Sequence, residues 1–404
     1  MSPPAANPTQ SLWLRIGWLI DGLGGPVQHN VAMAVHDGRI AAIGPDTDAG
    51  AAGALDLSRV TVLPALMDAH VHLAFSGTVD PQARSAQLNA APEAVRAAVA
   101  RHLRDQWQCG VVAVRDGGDR GGEVLHCKRH CPPPVEQAIT VFSPGWAWHA
   151  FGRYGTMIGR HPQEGQTLAD ALAPYLPAID HLKLLQSGIN SLARCGPQGG
   201  PQFSGTDLRV AIRAAHAAGK PVMVHANGDI AVRMALEAGC DSIEHGYFMG
   251  PDNLRRMADQ SVTWVPTAIP MAALAKARGL TQQQKDIARR TLDHQLDQIR
   301  QARDLGVPIA LGTDAGGQGV HHGHAVRQEL RLLMTAGLSL SQAIRCATRN
   351  AAHLMGLQDR GALAPGHRAD FIAVPGPPDR LPEGLATIQS IHLSGRSCEP
   401  TCGL

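Results

Sequence analysis

The chain of 404 residues carries 36 Lys plus Arg against 34 Asp plus Glu, 8 Cys, and 20 His, more histidines than its 6 Phe, 6 Trp and 3 Tyr combined. A net charge of +2 without a long basic run offers no footprint to nucleic acid or a membrane surface, and no apolar stretch approaches the roughly 18–20 residues of a membrane span. The length fits one large domain plus a smaller one, while scattered cysteines and an N-terminus without a secretory pattern lead to reduced thiols and a cytoplasmic protein.

Residues 12 to about 60 contain short alternating runs such as Val31-Ala-Met-Ala-Val35 and Arg39-Ile-Ala-Ala-Ile43, separated by Asp21-Gly, Gly24-Gly-Pro and Asp37-Gly turns. This is all-β material. From Thr61 to about Gly356 apolar β-type runs alternate with Ala-rich amphipathic segments, the pattern of βα units around a parallel sheet. Strands are predicted at 67–73, 111–115, 138–142, 181–185, 221–225, 242–245, 262–266 and 308–312, and eight is the barrel number. Helices are predicted at 92–108, 206–218, 230–238, 281–305, 326–336 and 339–350. After Arg360 short strands and turns return. The expected architecture is α/β: a (β/α)8 TIM barrel over 61–357 and a small composite β-sandwich domain built from 1–60 and 358–404. No Gly-x-Gly-x-x-Gly or Walker-type loop follows a strand, so no nucleotide cofactor is expected.

In Asp68-Ala-His70-Val-His72 the two histidines sit two apart, which on a strand places both on one face. Imidazole is the commonest metal ligand, although this motif taken alone is more often an ordinary pair of hydrogen-bonded histidines. His225 and His245 each end an apolar strand, and Asp314 ends another. Strand ends at the C-terminal face of such a barrel converge on one site. A core-histidine explanation would have to be repeated independently for each of these residues. Lys183 lies inside His181-Leu-Lys-Leu-Leu185, where an unpaired ammonium is costly. A salt bridge, a depressed pKa, or reaction with carbon dioxide to a carbamate would each relieve that cost.

Leu63-Pro-Ala-Leu-Met-Asp-Ala-His-Val-His-Leu, with Lys183, His225, Ser-Ile-Glu-His245-Gly and Leu-Gly-Thr-Asp314-Ala, resembles the amidohydrolase superfamily of metal-dependent hydrolases, most closely its prolidase-like and imidazolonepropionase-like members. The resemblance spans nearly the whole chain, with Ile20-Asp-Gly and Gly361-Ala-Leu-Ala-Pro-Gly-His-Arg-Ala-Asp similar to that family's small β-domain. It implies two divalent ions, His70, His72 and Asp314 holding one and His225 and His245 the other, bridged by Lys183 carbamylated by CO2. Zn2+ suits such nitrogen and oxygen ligands, and Mn2+ or Co2+ fit the same set. Ser187-Gly188-Ile189 departs from the family's Ser-Gly-Gly, and the loop from Ser143 to Gly152 is unusual.

The implied chemistry is attack of a metal-bridging hydroxide on an amide carbonyl, with Asp314 as general base and then acid to the leaving amine. The substrate expected is a small molecule: an N-acyl amino acid, a dipeptide or a cyclic amide. His149, in the loop after the third strand, and Tyr247 are candidate substrate contacts. Arg115 and Arg153 are candidate carboxylate partners, and His321-His-Gly-His324 a candidate entrance lining. His126-Cys-Lys-Arg-His-Cys131 lacks a partner cysteine pair at zinc-finger spacing, and Cys398 and Cys402 read as incidental. A lactonase or phosphotriesterase would use the same ligands. A deaminase would pair one metal with a glutamate soon after the fifth-strand histidine, where this chain has Ala-Asn-Gly-Asp. A non-catalytic scaffold would not need the intact ligand set, and a homo-oligomer is an expectation from the resemblance.

Overall fold

Asp37 and Gly38, both at positive φ (49° and 76°), make the two-residue turn that joins the antiparallel strands Gln28–His36 and Arg39–Pro45. The computed structural model describes residues 11–46, 53–131, 139–196 and 199–398. Ser11–Leu19 runs antiparallel to Gln28–His36 and parallel to Leu55–Pro64, and Leu55–Pro64 pairs with Phe371–Pro375 from the far end of the chain. Ser390–Leu393 and Arg396–Cys398 complete a sheet of seven strands. Period-two alternation turns Val31, Met33 and Val35 inward against Leu14, Ile16, Leu57 and Phe371. Both chain ends therefore build one sheet. The two-sheet sandwich expected from sequence is not among the pairings of the described residues.

Between the two ends of this sheet lies the parallel α/β part. Leu66–Val71, Val111–Asp116 and Thr140–Phe142 form one arc. Ala147–Trp148, Leu182–Leu185, Val222–Ala226, Ser242–His245 and Thr263–Val265 form a second, with Gly159–Arg160 at its edge. Residue 138, the expected start of the third strand, lies outside the described residues. The run expected at 308–312 forms no regular ladder. It is held by Trp264 N–H to the Pro308 carbonyl (2.8 Å), Ala310 N–H to Trp264 (2.9 Å) and Ala69 N–H to Leu311 (2.8 Å), which tie the two arcs together. Beyond it the Asp314 N–H bonds the His70 carbonyl (2.7 Å), with Asp314 in left-handed backbone (φ 56°).

The helices follow the sequence pattern. Pro92–Gln108 opens on a proline, and Gln282–Leu305 starts with a Thr281/Gln284 capping box and stops at left-handed Gly306. Gly205–Ala217 buries Leu208, Ala211, Ile212 and Ala215, one stripe of an amphipathic helix. The helix expected over 339–350 is interrupted: Leu340–Arg345 passes into a wide π-turn, Cys346–Asn350, before Ala351–Leu354. There the Cys346 carbonyl accepts the Leu311 N–H (2.9 Å), a bond that competes with regular α-helical pairing.

Candidate metal centre

His70, His72 and Asp314 each place one ligand atom within 4.8 Å of the others, the only such group of three among the described residues. His70 and His72 come from the end of the first barrel strand, and the Asp314 carboxylate lies 3.5 Å from the Nε2 of both. Gly117 makes room for this arrangement, since a Cβ there would lie 2.5 Å from the His72 ring. The rings of His70 and His245 are 4.9 Å apart and those of His245 and His225 4.7 Å, so four histidines from three strands form one continuous cluster.

Each ring is oriented by its second nitrogen. His70 Nδ1 donates to Glu244 (2.6 Å), His72 Nδ1 to the Gly118 carbonyl (3.1 Å), and His225 Nε2 to the Gly188 carbonyl (3.1 Å), while His245 Nδ1 lies 2.6 Å from the Thr267 hydroxyl. Fixing the proton on one nitrogen leaves the other lone pair bare, which is how metal-binding imidazoles are held. His70 Nε2 is buried without a hydrogen-bond partner. Burial, reinforced by the nearby Lys183 charge, lowers His72 to about 4 and His225 to about 3, and His70 and His245 fall well below the ordinary imidazole value. All four rings are therefore neutral at pH 7, the form that ligates cations.

Lys183 is 1% exposed and its Nζ has no hydrogen-bond partner. Burial lowers its pKa to about 8 against the opposing pull of Glu244. Asp314 is pushed up to about 7 by the same burial, partly offset by Lys183. Bare imidazole nitrogens and a carboxylate converging on one point fit a divalent cation site, because a cation supplies the electrophile those lone pairs lack, and Lys183 fits beside it once it has given up its positive charge.

Two backbone features concentrate these groups. His245 (φ 64°) and Asp314 (φ 56°) both occupy the left-handed region at strand ends. Glu244 and His245 are consecutive, yet both reach His70. Thr313 and Asp314 are consecutive, yet Thr313 donates to Asp68 (2.6 Å) while Asp314 faces His70. Strict strand alternation would send neighbours to opposite faces, and positive φ breaks it at a cost of about 1–3 kcal/mol each. Buried Gln295 donates to the His245 carbonyl (2.5 Å) and Gln298 to the Gly246 carbonyl (3.2 Å), which fastens one of these turns to the long helix.

Several residues differ from expectation. Arg115 is not a substrate partner: it is buried and donates to the Ala69 carbonyl (2.8 Å), Ser242 (3.0 Å) and Glu244 (2.7 Å), holding the carboxylate that orients His70. Arg153 donates to the Gly200 carbonyl (3.1 Å). His322 is buried and stacked on His102 at 4.3 Å, with Nε2 2.8 Å from the Phe75 carbonyl, and His324 neighbours Cys109, so the 321–324 run does not present its rings to the ligand cluster. The Tyr247 hydroxyl gives its proton to the Thr267 carbonyl (3.0 Å), leaving only an acceptor. His149 Nδ1 donates to the Ala150 carbonyl (2.9 Å), and its buried Nε2 has no partner. On helix Glu123–His130 the His126 and His130 rings lie 4.7 Å apart without forming a metal group, and Cys402 lies outside the described residues. Sequence reasoning missed Glu244, Asp68 and Tyr154. The Tyr154 ring sits 5.7 Å from His225, and burial together with the Asp314 charge raises its phenol. Its place in the 143–160 segment, beside His149, was the available signal.

The amidohydrolase family model matches residues 61–396. The chain is 27% identical over 391 residues to ochratoxinase of Aspergillus niger, covering 89% of this chain and 80% of that protein. It is 27% identical over 381 residues to imidazolonepropionase of Deinococcus deserti, covering 85% of each. A solved structure of a Xaa-Pro dipeptidase with methionine bound in its active site superposes with a TM-score of 0.77 at 26% identity, covering 96% of this chain and all of that one. The shared fold is a TIM-barrel-like α/β domain. With its histidine and aspartate cluster at the strand ends, the chain belongs to the amidohydrolase family and is a hydrolase of carbon–nitrogen bonds.

Proposed function

We propose that the protein hydrolyses the amide bond of a small N-acyl amino acid, dipeptide or cyclic amide at a centre of two divalent ions. The observation that carries this reading is the pair of buried, unpartnered atoms His70 Nε2 and Lys183 Nζ inside a cluster of neutral imidazoles. His70, His72 and Asp314 would hold one ion, His225 and His245 the other, and Lys183 would bridge them as a carbamate. Zn2+ is the proposed metal, with Mn2+ or Co2+ accommodated by the same donors. When bound, such ions polarise the scissile carbonyl and acidify water.

The chain's own residues supply the rest. The Lys183 ammonium first releases one proton to solvent, the freed lone pair attacks the carbon of CO2, and Nζ then releases a second proton, so an uncompensated cation would become an anionic ligand. Asp314, whose side chain is 22% exposed, is the ligand open to the substrate side. It takes a proton from the attacking water and returns it to the leaving nitrogen. Arg115 and Glu244 hold His70 in one tautomer throughout. His149 Nε2, neutral and unpartnered, accepts a hydrogen bond from the substrate, and the Tyr247 oxygen can do the same. We further propose that residues 61–357 close as an eight-stranded barrel and that 1–60 with 358–404 form a small sandwich beside it.

The test is metal content per chain after supply of zinc and CO2, followed by a hydrolysis panel of N-acyl amino acids, dipeptides, cyclic amides, lactones and phosphotriesters. About two ions per chain with turnover of a carbon–nitrogen substrate supports the reading. Turnover confined to lactones or phosphotriesters overturns the substrate class, and fewer than about one ion per chain overturns the centre.

A further inference from the structure

Pro221, Asp241, Ser261 and Pro308 precede strands whose other ends approach the metal centre, and around them, at the opposite mouth, opens a cavity of about 780 Å³. That volume lies within the range of small-molecule sites. One wall comes from the interrupted helix, which contributes Arg345, Arg349 and His353. Among the described residues neither arginine meets a carboxylate within 4 Å: Arg345 donates to the Asn350 side chain (3.2 Å) and Arg349 to the Gln358 carbonyl (2.9 Å). Of the two acids that line the cavity, Asp180 is paired with Lys128 (2.5 Å), and Asp241 accepts the Val222 N–H (2.7 Å) with the His216 ring 2.8 Å away, so the two arginines outnumber the one carboxylate that lacks a fixed cation. The cavity thus carries surplus positive charge.

Its floor adds polar groups of both kinds. Arg115 uses Nε and one N–H from each terminal nitrogen on Ala69, Ser242 and Glu244, so two of its five N–H groups have no assigned acceptor. His181 is 2% exposed; its Nε2 donates to the Asp116 carbonyl (3.1 Å), and its Nδ1 is buried without a partner. With the proton on Nε2, the orphan Nδ1 is an acceptor and fits a hydroxyl rather than another anionic oxygen.

We propose that this cavity is a second binding site, separate from the metal centre, for a small oxyanion that also carries a hydroxyl group. Arg345 and Arg349 hold the oxyanion at the entrance, and His181 Nδ1 accepts from the hydroxyl at the floor. A hydroxycarboxylate and a phosphorylated alcohol share this chemistry.

The test is calorimetric titration of the metal-loaded full chain with glycolate, acetate and inorganic phosphate, in the parent protein and in Arg345→Gln/Arg349→Gln. Anions that bind the metal centre do so in both proteins, so the difference isolates the cavity. Saturable binding that weakens about tenfold or more in the double variant, with an unchanged melting temperature, supports the site. A tighter fit for phosphate than for acetate assigns the phosphorylated class, and the reverse the carboxylate class. Identical isotherms in the two proteins for all three anions overturn it. Glycolate should bind more tightly than acetate, and that preference should vanish in His181→Phe; equal binding of the two by the parent protein removes His181 from the site.

Discussion

The small sheet and the parallel α/β domain each bury a cation and treat it differently. Beside the start of the sheet strand Phe371–Pro375, Arg360 donates to Asp370 (2.6 Å) and to Thr140 (3.0 Å), and Asp370 in turn accepts the Ser394 N–H (2.8 Å). Both side chains are nearly inaccessible, and each has a partner. Lys183, just as deeply buried, has no hydrogen-bond partner at all. One chain has satisfied the first cation and left the second open. A buried charge is tolerated when its partners are built in, and where they are missing the protein is arranged for something that arrives from outside.

Substitutions at the two places should therefore behave in opposite ways. The largest effect is expected from Asp314→Asn, which keeps the shape but removes the base: kcat for the amide substrate should fall by about 10²- to 10⁴-fold with the fold intact by circular dichroism, and undiminished turnover would end the assignment. Asp370→Asn leaves Arg360 buried without its counter-charge, and urea unfolding should show a loss of about 3–5 kcal/mol; a loss below about 1 kcal/mol would mean the sheet's pair is not the constraint described here. Lys183→Met should do the reverse in the metal-free protein, raising stability by about 1–4 kcal/mol because an unpaired ammonium is exchanged for an apolar group of similar length, while metal loading collapses. A metal-free variant that melts lower would break the contrast.

A smaller effect concerns acid. Burial holds His322 near a pKa of about 3, below the ordinary value of 6.5. Below pH 6.5 the unfolded chain takes up a proton that the folded chain refuses, so stability is full above 6.5 and is lost as pH falls toward 3. Between pH 6.5 and 5 the loss from this residue is on the order of 2 kcal/mol. His322→Gln should flatten that part of the stability profile measured by urea unfolding; a profile unchanged from the parent would show that the stacked His102–His322 pair does not resist protonation.

The residues of the histidine and aspartate cluster were legible in the sequence because each stands at the end of an apolar run, where one-dimensional spacing already says which face and which end of a strand a residue occupies. Spacing singled out His70, His72, His225, His245 and Asp314 as a converging set, and only the family resemblance gave them a metal role. The residues that hold them did not announce themselves. Arg115 and Glu244 are 129 positions apart and stand on different arcs of strands that only the fold brings together, so Arg115 read as a candidate partner for a substrate carboxylate. Tyr247 looked available until the structure gave its proton to Thr267. The eighth strand was legible as an apolar run, but its contacts are isolated hydrogen bonds to Trp264 on one side and Ala69 on the other, distant partners that its own sequence does not name.

The left-handed residues at His245 and Asp314 have a consequence for anyone rebuilding this centre. A regular strand end presents one side chain to the barrel axis, whereas each of these presents two in succession, a reactive group and its neighbour's anchor. Grafting the cluster onto idealised strands would keep every histidine and lose the contacts that Glu244 makes to His70 and Thr313 to Asp68, because the density of functional groups depends on two residues holding a conformation that most side chains resist. At either position a β-branched residue would forfeit the bend along with the ligand. Asparagine, which tolerates that conformation, is the substitution that separates loss of chemistry from loss of shape.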